Sequence, residues 1–311
     1  MSRPKVYIDG KEGTTGLQIY ERLGQRDDIE LLLIDEDKRK DTAERKKLLN
    51  AADLVFLCLP DAAAVEAVGL IENAHTRVID ASTAHRVAPG WDYGFPELSR
   101  EHRAAIVNSK RVANPGCHAT GFISAVYPLV AAGVLPRDYP LTCFSLTGYS
   151  GGGKKRIAEY EGPDKADWMY APAIYATGLK HKHLPEMVGV CALQVKPVFC
   201  PVIDDYYKGM ATTISLHSAL LPGKPSAADI REVLAAHYAG QAMVHVAPFE
   251  GGAAELAANA MAGSNELTLV VRGHEEQTIV TALFDNLGKG ASGAAVQNMN
   301  LMLGFEETQG L

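Results

Sequence analysis

Apolar positions in the first third of the chain come in short unbroken runs. Lys5–Ile8 opens the series, and "IELLLID" (29–35), "DLVFLCLP" (53–60) and "RVIDAS" (77–82) follow. Runs that are apolar on successive residues predict strands buried on both faces. Segments of helical period separate them. Leu17, Ile19, Tyr20 and Leu23 share one face, and "DAAAVEAVGLIENA" follows the third run. Buried strands alternating with helices predict a parallel sheet covered on both sides.

Beyond residue 120 the pattern changes. "LTCFSLTGYSGGGKK" (141–155) reads as a strand entering a glycine-rich loop, and "LQVKPVFCPVIDDYYKGMATTISLHS" (193–218) as long strands of a mixed sheet. "SAADIREVLAAHYAGQ" (226–241) carries a serine cap and helical periodicity. "ELTLVVRGHEEQTIVTALFDN" (266–286) predicts two strands joined by a polar turn. "LGKGASGAAVQNMNLMLG" then predicts a glycine loop followed by a helix. Antiparallel strands backed by helices make an α+β domain, and 311 residues suffice for two domains.

Composition narrows the classes of function. The net charge of −7 is spread along the chain without a long basic block, which argues against a nucleic-acid partner. No apolar stretch reaches the roughly 18–20 residues of a membrane span, and no signal peptide is expected at Met1–Lys5. The five cysteines are scattered, with no CxxC pair, so neither a zinc knuckle nor a disulfide framework is expected. A reducing cytoplasm fits best.

Gly10, Gly13 and Gly16 sit at the first strand-to-helix turn. Glycines there let the backbone approach a pyrophosphate, which the helix N-terminus stabilises. Thr14 and Thr15 suit a cap and phosphate contacts. The spacing is GxxGxxG rather than the common GxGxxG, so the pattern also fits an ordinary glycine turn. Ligands of such sheets lie beyond the carboxyl ends of the strands, which groups these glycines with Pro60-Asp61 and Ser82-Thr83. Asp35 ends the second run and favours a ribose 2′-hydroxyl, hence NAD. Lys38, Arg39 and Lys40 follow and are suited either to a 2′-phosphate or to a solvated helix face.

Cys117 stands in "ANPGCHATGF" (113–122), where Pro115-Gly116 breaks the chain and a helix begins. A helix N-terminus lowers a thiol's pKa and offers unpaired N–H groups to an oxyanion. The thiol is therefore either a nucleophile or a small core residue. Cys58, Cys143, Cys191 and Cys200 lie inside regular runs and are expected in the core. A thiol nucleophile needs an acid/base group. His181 and His183, in "GLKHKHLPEM" (178–187), lie on the loop entering a helix that Pro185 can start. A solvated basic turn is the alternative, and a metal site lacks a third ligand. His118 diverges by about 100° from Cys117 on the helix and is not expected to be the base. Together these features suit thioester formation on the cysteine, reduction by a nicotinamide, and proton handling by a histidine.

The segments "GKEGTTGLQIYERL", "VIDASTAHR", "ANPGCHATG", "GYSGGGK", "HKHLPE" and "LGKGASGAAVQNMNLMLG" occur in this order over nearly the whole chain. They resemble the shorter-form N-acetyl-gamma-glutamyl-phosphate reductases of arginine biosynthesis, within the semialdehyde dehydrogenase superfamily. The resemblance implies an α/β chain in three parts. A Rossmann-like dinucleotide-binding domain would span 1–116 and an α+β substrate and dimerisation domain with a mixed sheet 117–285. A C-terminal helix, 286–311, would return to the first domain. It implies NADPH, no metal, an acyl phosphate substrate and a homo-oligomer. By position, Cys117 would be the nucleophile and His183 the acid/base, with His181 as substrate ligand or alternate base. Arg86 would hold a substrate anion, and Asn114, Ser150 and Gly151 would line the acyl site. Gly10, Gly13, Thr14, Thr15, Gly16 and Ser82, with Asn286, Gly290, Ser292 and Gly293, would hold the cofactor. The family often has Tyr-Pro-Thr after the cysteine, where this chain has His118-Ala119-Thr120, and Arg and Thr where it has Lys182 and Leu184.

Three other readings remain open at this stage. An aspartate-semialdehyde-type dehydrogenase shares the mechanism, a redox sensor needs Cys117 but not His183, and a sugar- or dihydrodipicolinate-type reductase needs no thiol.

Overall fold

The structure is a computed structural model that describes residues 3–11 and 13–311. It divides into two compact units, one of residues 1–115 with 291–311 and one of residues 116–290. The short segment 286–290 thus belongs to the second unit, and the chain returns to the first only from Ala291.

The first unit holds a six-stranded sheet, all of whose pairings are parallel. Its strands are β1 (Lys5–Asp9), β2 (Glu30–Leu32), β3 (Leu54–Leu57), β4 (Arg77–Asp80), β5 (Asp92–Tyr93) and β6 (Arg111–Ala113), in the order β2-β1-β3-β4-β6-β5. The helices are α1 (Thr14–Leu23), α2 (Thr42–Ala51), α3 (Asp61–Gly69) and α4 (Arg100–Asn108), with a C-terminal helix at Gly293–Leu303. Side chains alternate between faces along a strand, so each central strand feeds two cores. Val6, Ile8, Phe56 and Ile79 pack with Ile19 and Leu23 of α1 and with Val296 and Met299 of the C-terminal helix. Tyr7, Val55, Leu57 and Val78 pack on the other face with Leu49, Ala64 and Ala67 of α2 and α3.

One strand departs from the sequence reading. "IELLLID" was expected to be buried on both faces, yet β2 spans only Glu30–Leu32, and Leu33 is 58% exposed. It is the edge of the sheet, and its apolar residues line a cavity instead. β5 and β6 lie in stretches too short and mixed to carry a strand signal.

The second unit carries α5 (Cys117–Ala131), β7 (Thr142–Gly148), α6 (Gly153–Glu161), β8 (Ala173–Ile174), α7 (Leu184–Val190), β9 (Val198–Asp204), β10 (Met210–His217), α8 (Ala227–His237), β11 (Val244–Val246), β12 (Leu267–Gly273) and β13 (Gln277–Phe284); the C-terminal helix is α9. The sheet runs β11-β12-β13-β10-β7-β9-β8 and is mixed. β10 lies antiparallel to β7 and β13, whereas β7 and β9 are parallel. α5 packs on β10 and β13, and α8 on β12. α8 starts with a capping box, in which Ser226 and Asp229 satisfy each other's backbone N–H.

Candidate active site

Within the second unit, Cys117 is the first residue of α5. Gly116 precedes it in extended conformation, and no side chain caps the helix. The thiol is half-buried and sits where the first-turn N–H groups have no intrahelical acceptors. Gly116 donates its own N–H to Glu186 Oε2 at 3.1 Å, which ties the cysteine loop to α7. Gly290 packs directly against the cysteine, since a Cβ added there would lie 3.1 Å from Cys117 Cβ. The sequence reading had assigned Gly290 to the cofactor.

His183 forms the N-terminal boundary of α7 and is buried. His181 accepts from its backbone N–H through Nδ1 at 3.2 Å. The two imidazoles pack edge to face at 4.7 Å between centroids. His118 lies 5.5 Å from His181 and 5.7 Å from His183. The histidine loop therefore packs beside the start of α5 although some 60 residues intervene. Burial, followed by the charges of His181 and Lys182, pushes His118 down to about 3. It stays neutral at working pH. Its Nδ1 lies 2.7 Å from Ser145 Oγ and its Nε2 2.7 Å from the Tyr175 hydroxyl. Tyr175, Ser145 and Thr212 carried no sequence signal. Hydroxyl residues on strands are common; the β7–β10 register pairs Ser145 with Thr212, and Tyr175 is placed by the end of β8 against β9.

Ser150 and Gly151 meet Asn286 in the same unit. Asn286 donates to Ser150 Oγ at 3.0 Å and accepts from Gly209 N–H at 2.8 Å. Its amide clamps two loops together, a holding role that the sequence reading had not given it.

The remaining residues belong to the first unit. Gly10 has φ +87°, and a Cβ there would meet Cys58 O at 2.4 Å; a Cβ on Gly16 would meet Gly10 O at 2.5 Å. These two glycines let the loop fold back on itself. Gly13 precedes α1 without a side-chain cap. Thr14 Oγ1 is buried with no hydrogen-bond partner among the described residues. Ser292 donates to Gln18 Oε1 of α1 at 2.9 Å, and Gly293 begins α9. Next to the loop lies a cavity of about 390 Å³, lined by Gly10, Lys11, Leu31–Ile34, Arg39 and Lys40 among others. An orphaned hydroxyl, an uncapped helix and a cation-edged apolar cavity fit a dinucleotide's phosphates and adenosine. Asp35 accepts from Lys38 at 3.2 Å, and Arg39 pairs with Glu36 at 2.9 Å.

The Ser82 hydroxyl donates to Asp80 at 2.7 Å, and His85 Nδ1 is 2.5 Å from the same carboxylate. Arg86 donates Nε to Asn114 O at 3.1 Å and Nη2 to Ala81 O at 3.2 Å. Asn114 donates to Ala291 O at 2.9 Å and accepts from Asn298 Nδ2 at 3.3 Å. These three side chains brace the loops after β4 and β6 within their own unit.

Comparison with known proteins agrees with this division. A family model described as semialdehyde dehydrogenase, NAD binding domain, matches residues 5–106, and one described as semialdehyde dehydrogenase, dimerisation domain, matches residues 117–286. The chain belongs to the semialdehyde dehydrogenase family and, within it, to the N-acetyl-gamma-glutamyl-phosphate reductases. It is 48% identical to N-acetyl-gamma-glutamyl-phosphate reductase 2 of Pseudomonas putida, and 46% to the protein of that name from Nostoc sp., in each case over all of both chains. Among solved structures it resembles aspartate semialdehyde dehydrogenase II complexed with ASA from Vibrio cholerae (TM-score 0.75, 16% identity, 97% of this chain and 99% of that one). It also resembles aspartate semialdehyde dehydrogenase with NADP from Candida albicans (TM-score 0.69, 18% identity, the same coverage). At these identities the two structures establish the fold alone.

Proposed function

We propose that this chain reduces N-acetyl-γ-glutamyl phosphate to N-acetylglutamate 5-semialdehyde with release of phosphate, using NADPH and a thioester on Cys117, as a step of arginine biosynthesis. The observation that carries the reading is the half-buried thiol at the uncapped start of α5, packed beside the buried histidine loop of α7. Full-length relatives bearing the reductase name support the substrate.

In the first step Cys117 Sγ attacks the acyl carbon, the S–C bond forms, and the C–O bond to phosphate breaks with its electron pair leaving on phosphate. The first-turn N–H groups of α5 are suited to hold the developing oxyanion. NADPH, when bound, would supply the hydride that reduces the thioester to the thiohemiacetal level. On collapse the S–C bond breaks, the aldehyde leaves, and the sulfur electrons return to Cys117. His183 takes the proton of the thiol on attack, gives it to the oxygen that becomes the thiohemiacetal hydroxyl, and takes it again on collapse. His181 is suited to bind substrate beside it, and Arg86 to attract an anionic group.

For the cofactor, Gly10, Gly13, Thr14, Thr15 and Gly16 would hold the pyrophosphate. Arg39 and Lys40 on the cavity rim favour a 2′-phosphate, while Asp35 is drawn towards Lys38. This supports NADPH over NADH.

The second unit supports a homo-oligomer. Ile279, Ser215, Thr142 and Val198 lie in register across β13, β10, β7 and β9, and Ile279 and Val198 are exposed on that row. Phe144, on the same face of β7, is 51% exposed. An apolar sheet face of this kind suits a second copy. Free cysteines fit a reducing cytoplasm, and no helix among the described residues is long and apolar enough to cross a membrane.

The test is the reverse reaction. N-acetylglutamate semialdehyde, NADP and phosphate should give phosphate-dependent reduction of NADP, abolished by Cys117→Ser. Activity with aspartate semialdehyde in its place would reject the substrate and keep the mechanism. Wild-type turnover in Cys117→Ser would reject the thioester.

A further inference from the structure

A chain of hydroxyls and one imidazole runs from the sheet core to the cysteine's surroundings. Thr212 Oγ1 lies 2.7 Å from Ser145 Oγ, Ser145 Oγ 2.7 Å from His118 Nδ1, and His118 Nε2 2.7 Å from the Tyr175 hydroxyl. None of these distances fixes which atom donates. The buried end does. Thr212 is fully buried, and Ser145 Oγ is the sole hydrogen-bond partner of its hydroxyl among the described residues. Gly121 packs closely against it, and a Cβ there would lie 2.5 Å from Thr212 Oγ1.

A hydroxyl proton with one available acceptor goes to that acceptor, because a buried donor left unmade is costly. Thr212 therefore donates to Ser145. Ser145 then has its own proton free for His118 Nδ1. His118 is neutral, so with Nδ1 accepting, its single proton is on Nε2 and is donated to the Tyr175 oxygen. The opposite direction would let Tyr175 donate to His118 and would strand the Thr212 proton in the core.

The consequence falls on Tyr175. Its oxygen accepts from His118, and its own proton has no acceptor among the described residues. Tyr175 follows edge strand β8, and its N–H is anchored to Pro201 O at 3.0 Å. The next residue, Ala176, holds φ +52°, and Leu179 φ +53°. Non-glycine residues in this conformation persist where the surroundings enforce them, so the turn that follows Tyr175 is held in place by its surroundings. Burial, then the charge of the nearby Cys117, raise the phenol above its ordinary range, against the opposing Arg156, so the hydroxyl keeps its proton beside the nucleophile.

We propose that the Tyr175 hydroxyl is a further catalytic donor, aimed by the Thr212–Ser145–His118 relay at the acyl oxygen of the group carried on Cys117. This rests on the nucleophile assignment made above. Ser145, His118 and Thr212 are positioning residues. Tyr175 would share with the α5 N-terminus the negative charge that appears on the acyl oxygen when the S–C bond forms.

The test separates acylation from alkylation at one thiol. With p-nitrophenyl acetate, Sγ attacks the carbonyl, the C–O bond breaks, p-nitrophenolate leaves with the electron pair, and the thiol proton passes to base. An oxyanion forms on the way. Iodoacetamide alkylates the same sulfur by displacement of iodide, with no oxyanion. Cys117→Ser supplies the background from other cysteines. Tyr175→Phe should slow acylation about 10²–10³-fold and leave alkylation within about twofold. Unchanged acylation, or equal slowing of both, overturns the proposal. Nitrogen-15 NMR of wild-type His118 should show Nε2 protonated and Nδ1 bare. The reverse tautomer overturns the relay, and this readout stands if Tyr175→Phe does not fold. Failure to reduce NADP with N-acetylglutamate semialdehyde would remove the proposed reaction without touching this comparison. A wild-type Cys117 that p-nitrophenyl acetate cannot acylate would remove the nucleophile and the donor together.

Discussion

Replacing His118 by Gln should flatten the acid limb of this protein's stability. The imidazole is fully buried and hydrogen-bonded as a neutral group, and its pKa is pushed from 6.5 down to about 3 by burial and then by His181 and Lys182. The unfolded imidazole binds a proton below about 6.5, whereas the folded one does not until about 3. The unfolded state therefore holds the extra proton between those values, and stability rises with pH across that window. His118's contribution is complete above about pH 6.5 and is lost progressively as the pH falls towards 3. At pH 5 the loss is about 1.5 pH units at about 1.36 kcal/mol each, or about 2 kcal/mol relative to pH 8. The substituted side chain keeps an amide donor and acceptor but cannot charge. Urea unfolding at pH 8 and pH 5 measures both proteins, and the other titrating groups cancel in the difference. The His118→Gln variant should be less stable at pH 8 because the relay is disturbed, yet lose about 2 kcal/mol less on acidification. Equal losses in the two proteins would refute the claim that the buried imidazole is held neutral.

Gly290→Ala places a Cβ 3.1 Å from Cys117 Cβ and 3.1 Å from Asp285 O, so the cysteine must shift; kcat should fall about 10–10²-fold, as misplacement of a reacting group does, with a smaller change in KM. Arg45→Met strands the buried Asp9, which now holds the guanidinium at 2.9 Å. Thermal and urea unfolding should show a loss of about 3–5 kcal/mol, partly restored by adding Asp9→Asn. Arg39→Ser with Lys40→Ser should raise KM for NADPH about 10–10²-fold, the worth of a charge-assisted hydrogen bond, and leave KM for NADH nearly unchanged; equal effects on both cofactors would place the 2′-phosphate elsewhere.

Much of this protein is legible in one dimension. Backbone hydrogen bonding forces buried strands into apolar runs and helices into a 3.6-residue period. The switch from unbroken runs to mixed strands after residue 120 therefore announces two kinds of domain. Cys117 was readable because Pro115-Gly116 ends one element immediately before another begins, so the helix N-terminus follows from local geometry. The two histidines were readable because Pro185 marks where their helix starts. The run at 29–35 misled because hydrophobicity does not say what covers a residue. An edge strand lining a cofactor-sized cavity and a central strand under helices have the same composition.

The tertiary structure alone decided which polar groups meet. Asn286 and Ser150, Asn114 and Ala291, and Ser145 and Thr212 are joined by strand register and chain return over long separations, and no local pattern encodes such pairs. His118 shows the limit most clearly. Helix geometry turns its side chain away from that of Cys117, but its neutrality and the direction of its proton depend on burial and on a threonine two strands away. Dielectric and hydrogen-bond partners are properties of the assembled core, so the electrostatics of this site exist only once the chain has folded.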